Sequence, residues 1–392
     1  MKNLRFVSVL VILIMLFILS CTDKEPLSPN TKKLPEIESS EFLKGGNSRG
    51  EVTVMDWNIY VGANVDIVLG ATSLIDLAMK VAAAYDTLQM TNFPERAVAI
   101  AKQVAKTKPH IIGLQEVSLI QRFSTFPPDP ASFVEQLDFL NILLNALAAE
   151  GLDYQLADSI QDANVYVPMF TGIDPQGNPI LHTVRLLDAD AILVRGDVEF
   201  SNVIKDNYIA RLNIPAFGIS IPRGYVSIEA TVNQKTYRFI NTHLEAFSEL
   251  IRLPQAQELA ASFTSETLPI ILVGDFNTFD PTPPTPYNDA TYQFLTLEAG
   301  YEDTWDYNLY GNQGDGFTSP QASGLMNPLP NLYQRIDLIF ARNYGGPAGN
   351  NEIGPVQAEV IGDELQDRTP SGLWPSDHAG VVAKLHLSSL AF

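Results

Sequence analysis

The sequence is short of cysteine, of basic residues and of long apolar runs. One cysteine in 392 residues excludes an internal disulfide framework and any zinc or iron–sulfur centre built on thiolates. Lys and Arg number 25 against 45 Asp and Glu, a formal charge of −20. That surplus repels a phosphate backbone and argues against a generic nucleic-acid clamp. Charged residues make up only 18% and hydrophobic residues 46%, so the chain buries a sizeable core and is not globally disordered. What these shortages leave open is a small, local phosphate site built around a cation.

The one long apolar run is Phe6–Leu19, behind Lys2 and Arg5. It suits the h-region of a secretory signal and falls short of the roughly 20 residues of a membrane-spanning helix. The run ends in Ile18-Leu19-Ser20-Cys21, which resembles the bacterial lipobox, where the cysteine is lipidated and becomes the new N-terminus. On this reading residues 1–20 are a lipoprotein signal peptide and Cys21 is the lipidation site. Cleavage removes Lys2 and Arg5, leaving 23 basic residues against 45 acidic ones, or −22. Several acyl chains on one cysteine give stable membrane attachment. Thr22, rather than Asp, follows the cysteine, so no obvious inner-membrane retention signal is present. The expected location is the cell envelope, anchored at the outer membrane or cell surface and facing the periplasm or exterior. Residues 21–48 carry three prolines and no apolar period, the composition of a tether.

Residues 49–392 read as one domain. The segments at 52–59, 110–117, 189–195, 225–232, 237–243, 269–275, 335–341, 356–361 and 380–387 have the apolar or alternating pattern of strands. Asn233-Gln234 makes a hairpin turn between two of them. Ala97, Ile100, Ala101 and Val104 recur at helical spacing over 96–106, with Pro94 at the first turn and Pro109 as a stop. Phe133, Leu137, Leu140, Leu144 and Leu147 predict an amphipathic helix, and Leu74 to Leu88 predict another. Further helices are expected near 248–265 and 290–299. Hairpins mixed with crossovers predict an α/β fold, a four-layer sandwich of two packed mixed β-sheets flanked by helices.

Polar groups at the C-terminal ends of apolar strands carry the functional signal, because strand-end loops are where a rigid scaffold displays reactive side chains. Asn58 closes the first strand and Glu116 the second. His243 lies in Asn241-Thr242-His243-Leu244, Asp275 and Asn277 in Gly274-Asp275-Phe276-Asn277, and Asp377-His378 follow Ser376. Asp337 lies within an apolar strand, where a carboxylate is costly to bury without a partner. Singly, such residues are mostly turn formers or helix caps. His110, His182 and His386 have no such setting and read as structural or surface residues.

Together these motifs run Asn, Glu, Asn-Thr-His-Leu, Gly-Asp-Phe-Asn, Arg-Ile-Asp and Ser-Asp-His from Asn58 to His378. The chain thereby resembles the endonuclease/exonuclease/phosphatase superfamily, which includes deoxyribonuclease, abasic-site endonucleases, neutral sphingomyelinases and inositol-polyphosphate phosphatases. The residue types suit phosphoester hydrolysis, since a hard cation held by few carboxylates neutralises phosphate oxygens and the leaving oxygen. The resemblance implies Mg²⁺, with Mn²⁺ as an alternative, held by Asn58, Glu116 and Asp377. It implies that Asp275 orients the attacking water or a second metal and that Asn277 donates its amide to a phosphate oxygen. His243 contacts the phosphate and assists proton transfer. His378 acts as general base, with Asp337 fixing its tautomer. Water then attacks in line, without a covalent enzyme intermediate.

The motifs do not choose a substrate. Asn58-Ile59-Tyr60 looks like the Asn-Val-Tyr of sphingomyelinase-type enzymes, and the charge of −22 disfavours long duplex DNA. The expectation is a monomeric phosphodiesterase, nuclease-like or sphingomyelinase-like, that meets its phosphoester substrate near the membrane. A phosphomonoesterase of the same family and a non-catalytic surface-binding lipoprotein are the alternatives. The segments 60–93, 121–130, 161–188 and 278–288 are expected to border the cleft as loops, with Phe123, Phe126, Tyr166, Phe170, Phe279 and Tyr287 as an apolar rim. Arg223 and Arg335 are candidates for phosphate contacts.

Overall fold

The computed structural model describes residues 50–387, apart from 216–218, 279, 282–283, 286–287, 310–314, 344–352 and 355. Cys21 and the 21–48 tether lie outside the described residues, as do Phe279 and Tyr287 of the expected rim. Among the described residues no helix is long and apolar enough to cross a membrane.

Two mixed sheets carry the fold. The first contains β1 (Glu51–Asn58), β2 (Ile111–Gln115), β3 (Leu119–Phe123), β4 (Phe133–Asp138), β5 (Tyr154–Ile173) and β6 (Pro179–Arg195), together with β13 (Gln357–Ile361) and β14 (Gly380–His386). Its order is β13-β14-β1-β2-β6-β3-β4, with β5 also paired to β6. The second contains β7 (Glu199–Asn207), β8 (Gly224–Val232), β9 (Lys235–His243), β10 (Ile270–Asp275), β11 (Glu302–Asp303) and β12 (Asp337–Arg342), in the order β11-β12-β10-β9-β8-β7. The main helices are α1 (Leu74–Met90), α2 (Phe93–Thr107), α3 (Phe139–Ala149) and α4 (Glu249–Ser262). Two large mixed sheets between helical layers are the predicted four-layer sandwich.

Strand periodicity explains the layering, since alternate side chains point to opposite faces. In β10, Ile271 and Val273 join the inter-sheet core with Val54, Ile192, Val226, Phe239 and Ile339. Ile270 and Leu272 face the other way, against Ala256 and Leu259 of α4. On the other flank, Phe93 of α2 stacks on Phe139 of α3 with ring centroids 3.7 Å apart.

The inner face changes character partway along the strands. Val52 and Val54 give way to Asp56 and Asn58, Phe239 to Asn241 and His243, Ile271 and Val273 to Asp275, and Ala341 and Ile339 to Asp337. In β6, Val194 and Ile192 give way to Asp190 and Asp188. One end of the inter-sheet space is therefore dry and the other polar. Gly113 lies at this boundary, where a Cβ would come within 2.4 Å of Val273 Cγ2 and 2.9 Å of Asn241 Oδ1. Only glycine lets the sheets approach this closely.

Three expectations are corrected. The helix predicted from Phe133 begins at Phe139, with Asp138 capping it by accepting from Asn141 N at 3.1 Å. Residues 133–138 pair with β3 instead, so the apolar spacing across them spans two elements. The expected loop at 161–188 is most of the β5–β6 hairpin, paired from Tyr154↔Arg195 to Ile173↔Pro179. It was hidden because polar residues alternate through it without long apolar stretches. The segment expected as a helix at 290–299 is one short α-turn, Ala290–Gln293, continued as a wider π-turn over Phe294–Glu298.

Candidate active site

The site forms where the polar ends of the two sheets face each other. In the second sheet, β9 runs parallel to β10 with His243 opposite Asp275, and β12 runs antiparallel with Asp337 opposite Asp275. Register partners point to the same face, so His243, Asp275 and Asp337 form one row on the inner face. The first sheet supplies Asn58, at the end of β1, and Glu116, just after β2. His378 and Asp377 precede β14, which pairs with β1.

Hydrogen bonds join the two halves. Asn58 Nδ2 donates to Glu116 Oε1 at 3.0 Å and to Asp275 Oδ2 at 3.1 Å. Glu116 Oε2 accepts from the Val61 backbone at 2.6 Å. His378 Nδ1 lies 2.8 and 3.0 Å from the two oxygens of Asp337, while its Nε2 lies 4.0 Å from Asp275 Oδ2 and 3.4 Å from Ser319 Oγ. His243 Nε2 lies 3.5 Å from the same Asp275 oxygen. Asn277 N donates to Asp275 Oδ1 at 3.0 Å, and its side-chain amide donates to Leu244 O at 3.0 Å. An amide NH₂ carries two protons, and this bond uses one.

Backbone strain gathers here. Tyr60, Glu116 and Asn277 all adopt positive φ, at 60°, 58° and 52°. Asparagine tolerates that region, but tyrosine and glutamate pay on the order of 1–2 kcal/mol for it. The neighbouring structure holds them there. Buried Arg96 of α2 donates to Ile59 O, Tyr60 O, Thr91 O and Pro375 O at 2.8–3.0 Å. Ser376 Oγ donates to Asn58 O at 2.7 Å, and Trp57 Nε1 donates to His378 O at 3.0 Å.

The electrostatics follow from crowded carboxylates in a buried place. Burial, reinforced by Asp337, pushes Asp275 up to about 7, against the pull of His378. Burial also pushes Asp377 up to about 7, with His378 opposing and Glu116 adding to the rise. Burial disfavours a charge on His378, but Asp337, Asp377 and Asp275 outweigh it and raise its pKa well above the ordinary value. His243 goes the other way, held well below that value by burial and then by Arg223.

Behind the site, Gln115 Nε2 donates to Asp56 Oδ1 at 2.8 Å and to Asn241 Oδ1 at 2.6 Å. Sequence reasoning passed over Asp56, Gln115 and Asn241, although Asp56 and Asn241 stand two residues before Asn58 and His243 on the same face; Gln115 joins them as the register partner of Asn58. It also passed over Asp162, Asp188 and Asp190, which surround Arg223; the Asp-Ala-Asp-Ala-Ile alternation in β6 was their signal. Arg223 faces His243 at 3.0 Å, and Arg335 pairs with Asp303 at 2.6 Å. Of the expected rim, Phe123 and Tyr166 sit 6.4 Å apart on the hairpin sheet and are not among the residues lining the cleft at Glu116 and Asp377.

A cleft of about 380 Å³ opens at Glu116 and Asp377, walled by Tyr60, Val61, Gln321 and Ser323 among others. Asn58 lies behind, bonded to Glu116. Glu116 and Asp377 offer carboxylate oxygens with surplus negative charge, which suit a hard divalent cation, while Asn58 turns Nδ2 to Glu116 and its Oδ1 accepts from Tyr60 N at 3.0 Å. Two further groups have ligand atoms within 4.8 Å of one another, Asp275–Asp337–His378 and Asp162–Asp190–His243. The arrangement can therefore bind a cation beside a histidine–aspartate pair.

The family model described as Endonuclease/Exonuclease/phosphatase family matches residues 57–378. The chain belongs to that family. As a member of the endonuclease/exonuclease/phosphatase family it is a metal-dependent phosphoester hydrolase. Among solved structures, an endonuclease/exonuclease/phosphatase family protein from Bacteroides thetaiotaomicron is 17% identical with a TM-score of 0.51, covering 88% of this chain and 100% of its own. Mannosyl-6-phosphatase Bt3783 from B. thetaiotaomicron VPI-5482 is 18% identical with a TM-score of 0.48, over 85% and 99% of the two chains. D. rerio TDP2 complexed with a single-strand DNA product is 16% identical with a TM-score of 0.47, over 85% and 98%. At these identities the likeness concerns the fold. No curated protein matches the sequence significantly.

Proposed function

We propose that this protein is a Mg²⁺-dependent phosphodiesterase, nuclease-like or sphingomyelinase-like, working by in-line attack of water and anchored to the cell envelope through Cys21. The observation that carries the catalytic part is the convergence of His378–Asp337, Asp275 and the Asn58–Glu116 pair from two different sheets. The anchoring part rests on the lipobox-like Ile18–Cys21 and the tether that follows.

Asn58, Glu116 and Asp377 would hold the cation. When bound, it supplies positive charge to the phosphate's non-bridging oxygens and to the departing oxygen. Asp337 accepts from Nδ1 of His378, which leaves Nε2 as the atom that exchanges a proton with water. Asp275 Oδ2 lies near Nε2 of both histidines and accepts from Asn58, so it is placed to orient that water. Asn277 keeps one amide proton beyond its bond to Leu244 O.

Hydrolysis of bis-p-nitrophenyl phosphate that stops with EDTA and returns with Mg²⁺ is the expected result. Absence of turnover with any divalent ion would favour a non-catalytic surface protein. Sphingomyelin, plasmid DNA and an inositol phosphate, assayed side by side, separate the lipid, nucleic-acid and phosphomonoester readings. Cys21→Ala should release the protein from the membrane fraction; continued membrane association would overturn the anchor.

A further inference from the structure

The two histidines beside Asp275 have opposite partners. His378 Nδ1 faces the carboxylate of Asp337, a group that only accepts, so this nitrogen carries a proton. His243 Nδ1 lies 3.0 Å from Nη1 of Arg223, a group that only donates. Nδ1 of His243 must therefore accept, and the single proton of its ring sits on Nε2, 3.5 Å from Asp275 Oδ2.

Arg223 is itself caged. Asp162 Oδ2 and Asp188 Oδ2 each lie 3.9 Å from its Nη1, and Asp190 Oδ1 lies 3.8 Å from the His243 nitrogen that it contacts. Asp162 comes from β5 and Asp188 and Asp190 from β6, so the long hairpin of the first sheet builds this cage around a residue that lies just before β8. Burial, then Asp162, raises Asp190 well above the ordinary carboxylate value, and Asp162 and Asp190 share a hydrogen bond beside the guanidinium. The guanidinium is the positive charge these buried carboxylates surround. Burial works against that charge, and the three carboxylates outweigh it.

We infer that Arg223 is a positioning residue that fixes His243 as the Nε2–H tautomer, so that His243 meets the phosphoester as a neutral hydrogen-bond donor and proton exchange falls to His378. Asp162, Asp188 and Asp190 hold Arg223 for this purpose. The division takes from His243 the share in proton transfer that the family resemblance implied and leaves it the phosphate contact. Its chemical part rests on the phosphodiesterase reading above; the tautomer itself does not.

Ring-nitrogen NMR of the full chain labelled at histidine tests it, with His243→Asn assigning the signals. Nδ1 of His243 should be bare and Nε2 protonated across about pH 5 to 8. In Arg223→Gln, His243 should lose that pattern and gain a proton on Nδ1. On bis-p-nitrophenyl phosphate kcat should fall on the order of tenfold while KM moves less than about twofold. Arg223→Lys, which keeps a charged donor, should restore both readouts. A proton on Nδ1 in the wild-type protein overturns the inference. So does an Arg223→Gln variant that raises KM with the tautomer unchanged, because Arg223 would then be a substrate-binding group. Should Arg223→Gln fail to fold, the wild-type spectrum decides alone. No turnover of bis-p-nitrophenyl phosphate by the wild-type protein with any divalent ion, with Nδ1 bare, would remove the phosphodiesterase reading and leave the tautomer standing.

Discussion

His378 Nδ1 sits 2.8 Å from Oδ2 of Asp337, although the two residues are 41 positions apart, Asp337 opening β12 of the second sheet and His378 lying just before β14 of the first. The contact closes the inter-sheet space at its polar end. It also fixes which ring nitrogen is available for chemistry.

Asp337→Asn keeps the shape of the partner and removes its charge. An amide can present N–H to the imidazole and turn the ring to the wrong tautomer. Turnover of bis-p-nitrophenyl phosphate should then fall at least about 10²-fold, with the folded circular-dichroism spectrum retained. A variant within about twofold of wild type would show that His378 needs no orienting carboxylate.

Glu116→Gln tests the cation site. The substitution leaves an oxygen to accept from Val61 N but removes the charge that faces Asp377 across the cleft. Calorimetric affinity for Mg²⁺ should weaken by at least about tenfold, and turnover at low Mg²⁺ should fall with it. Unchanged affinity would place the cation elsewhere, with Asp275–Asp337–His378 the next group to examine.

Much of this site was legible because its residues end apolar strands, and an inner face that turns polar at a common level shows in period-two alternation. Asn58, Glu116, His243 and Asp275 mark such endings, whereas Asp337 opens β12 and Asp377 and His378 lie just before β14. The register that lines up His243, Asp275 and Asp337 was not legible, because strand neighbours are chosen by three-dimensional packing rather than by local pattern. The β5–β6 hairpin was missed for a related reason. Its buried stretch is short relative to its length, and Asp162, Asp188 and Asp190 make a buried face look solvent-exposed.

Arg96 was likewise invisible, since nothing in a helix sequence says that a lysine-like position is fully buried. It ties the turn at Ile59–Tyr60 to Pro375, just before Ser376-Asp377-His378. Arg96→Met removes the donors to four carbonyls and should destabilise the fold by roughly 3 kcal/mol or more. Urea denaturation checks this. Activity measured well below the unfolding transition should also drop, because both loops that carry Glu116's partner Val61 and His378 lose their common support. A loss of stability with full activity would mean that the loops hold their positions without it.

His110 gives a stability effect with a definite sign. Its Nδ1 accepts from Thr53 N at 3.0 Å, and burial, then Arg195, lowers its pKa to about 4. In the unfolded chain a histidine titrates near 6.5. Between those values the unfolded state holds the extra proton, so this residue costs stability as pH falls from about 6.5 to 4. Asp275 and Asp377, pushed up to about 7, act oppositely, since their protonated forms favour the folded state as pH falls. Only the difference between two proteins isolates the histidine. His110→Gln keeps an acceptor for Thr53 N and cannot titrate, so the wild type should lose up to about 3 kcal/mol relative to the variant between pH 7 and 4. Urea midpoints of the two proteins, compared across that range, supply the measurement, and parallel pH curves would show that His110 stays accessible to protons in the folded protein.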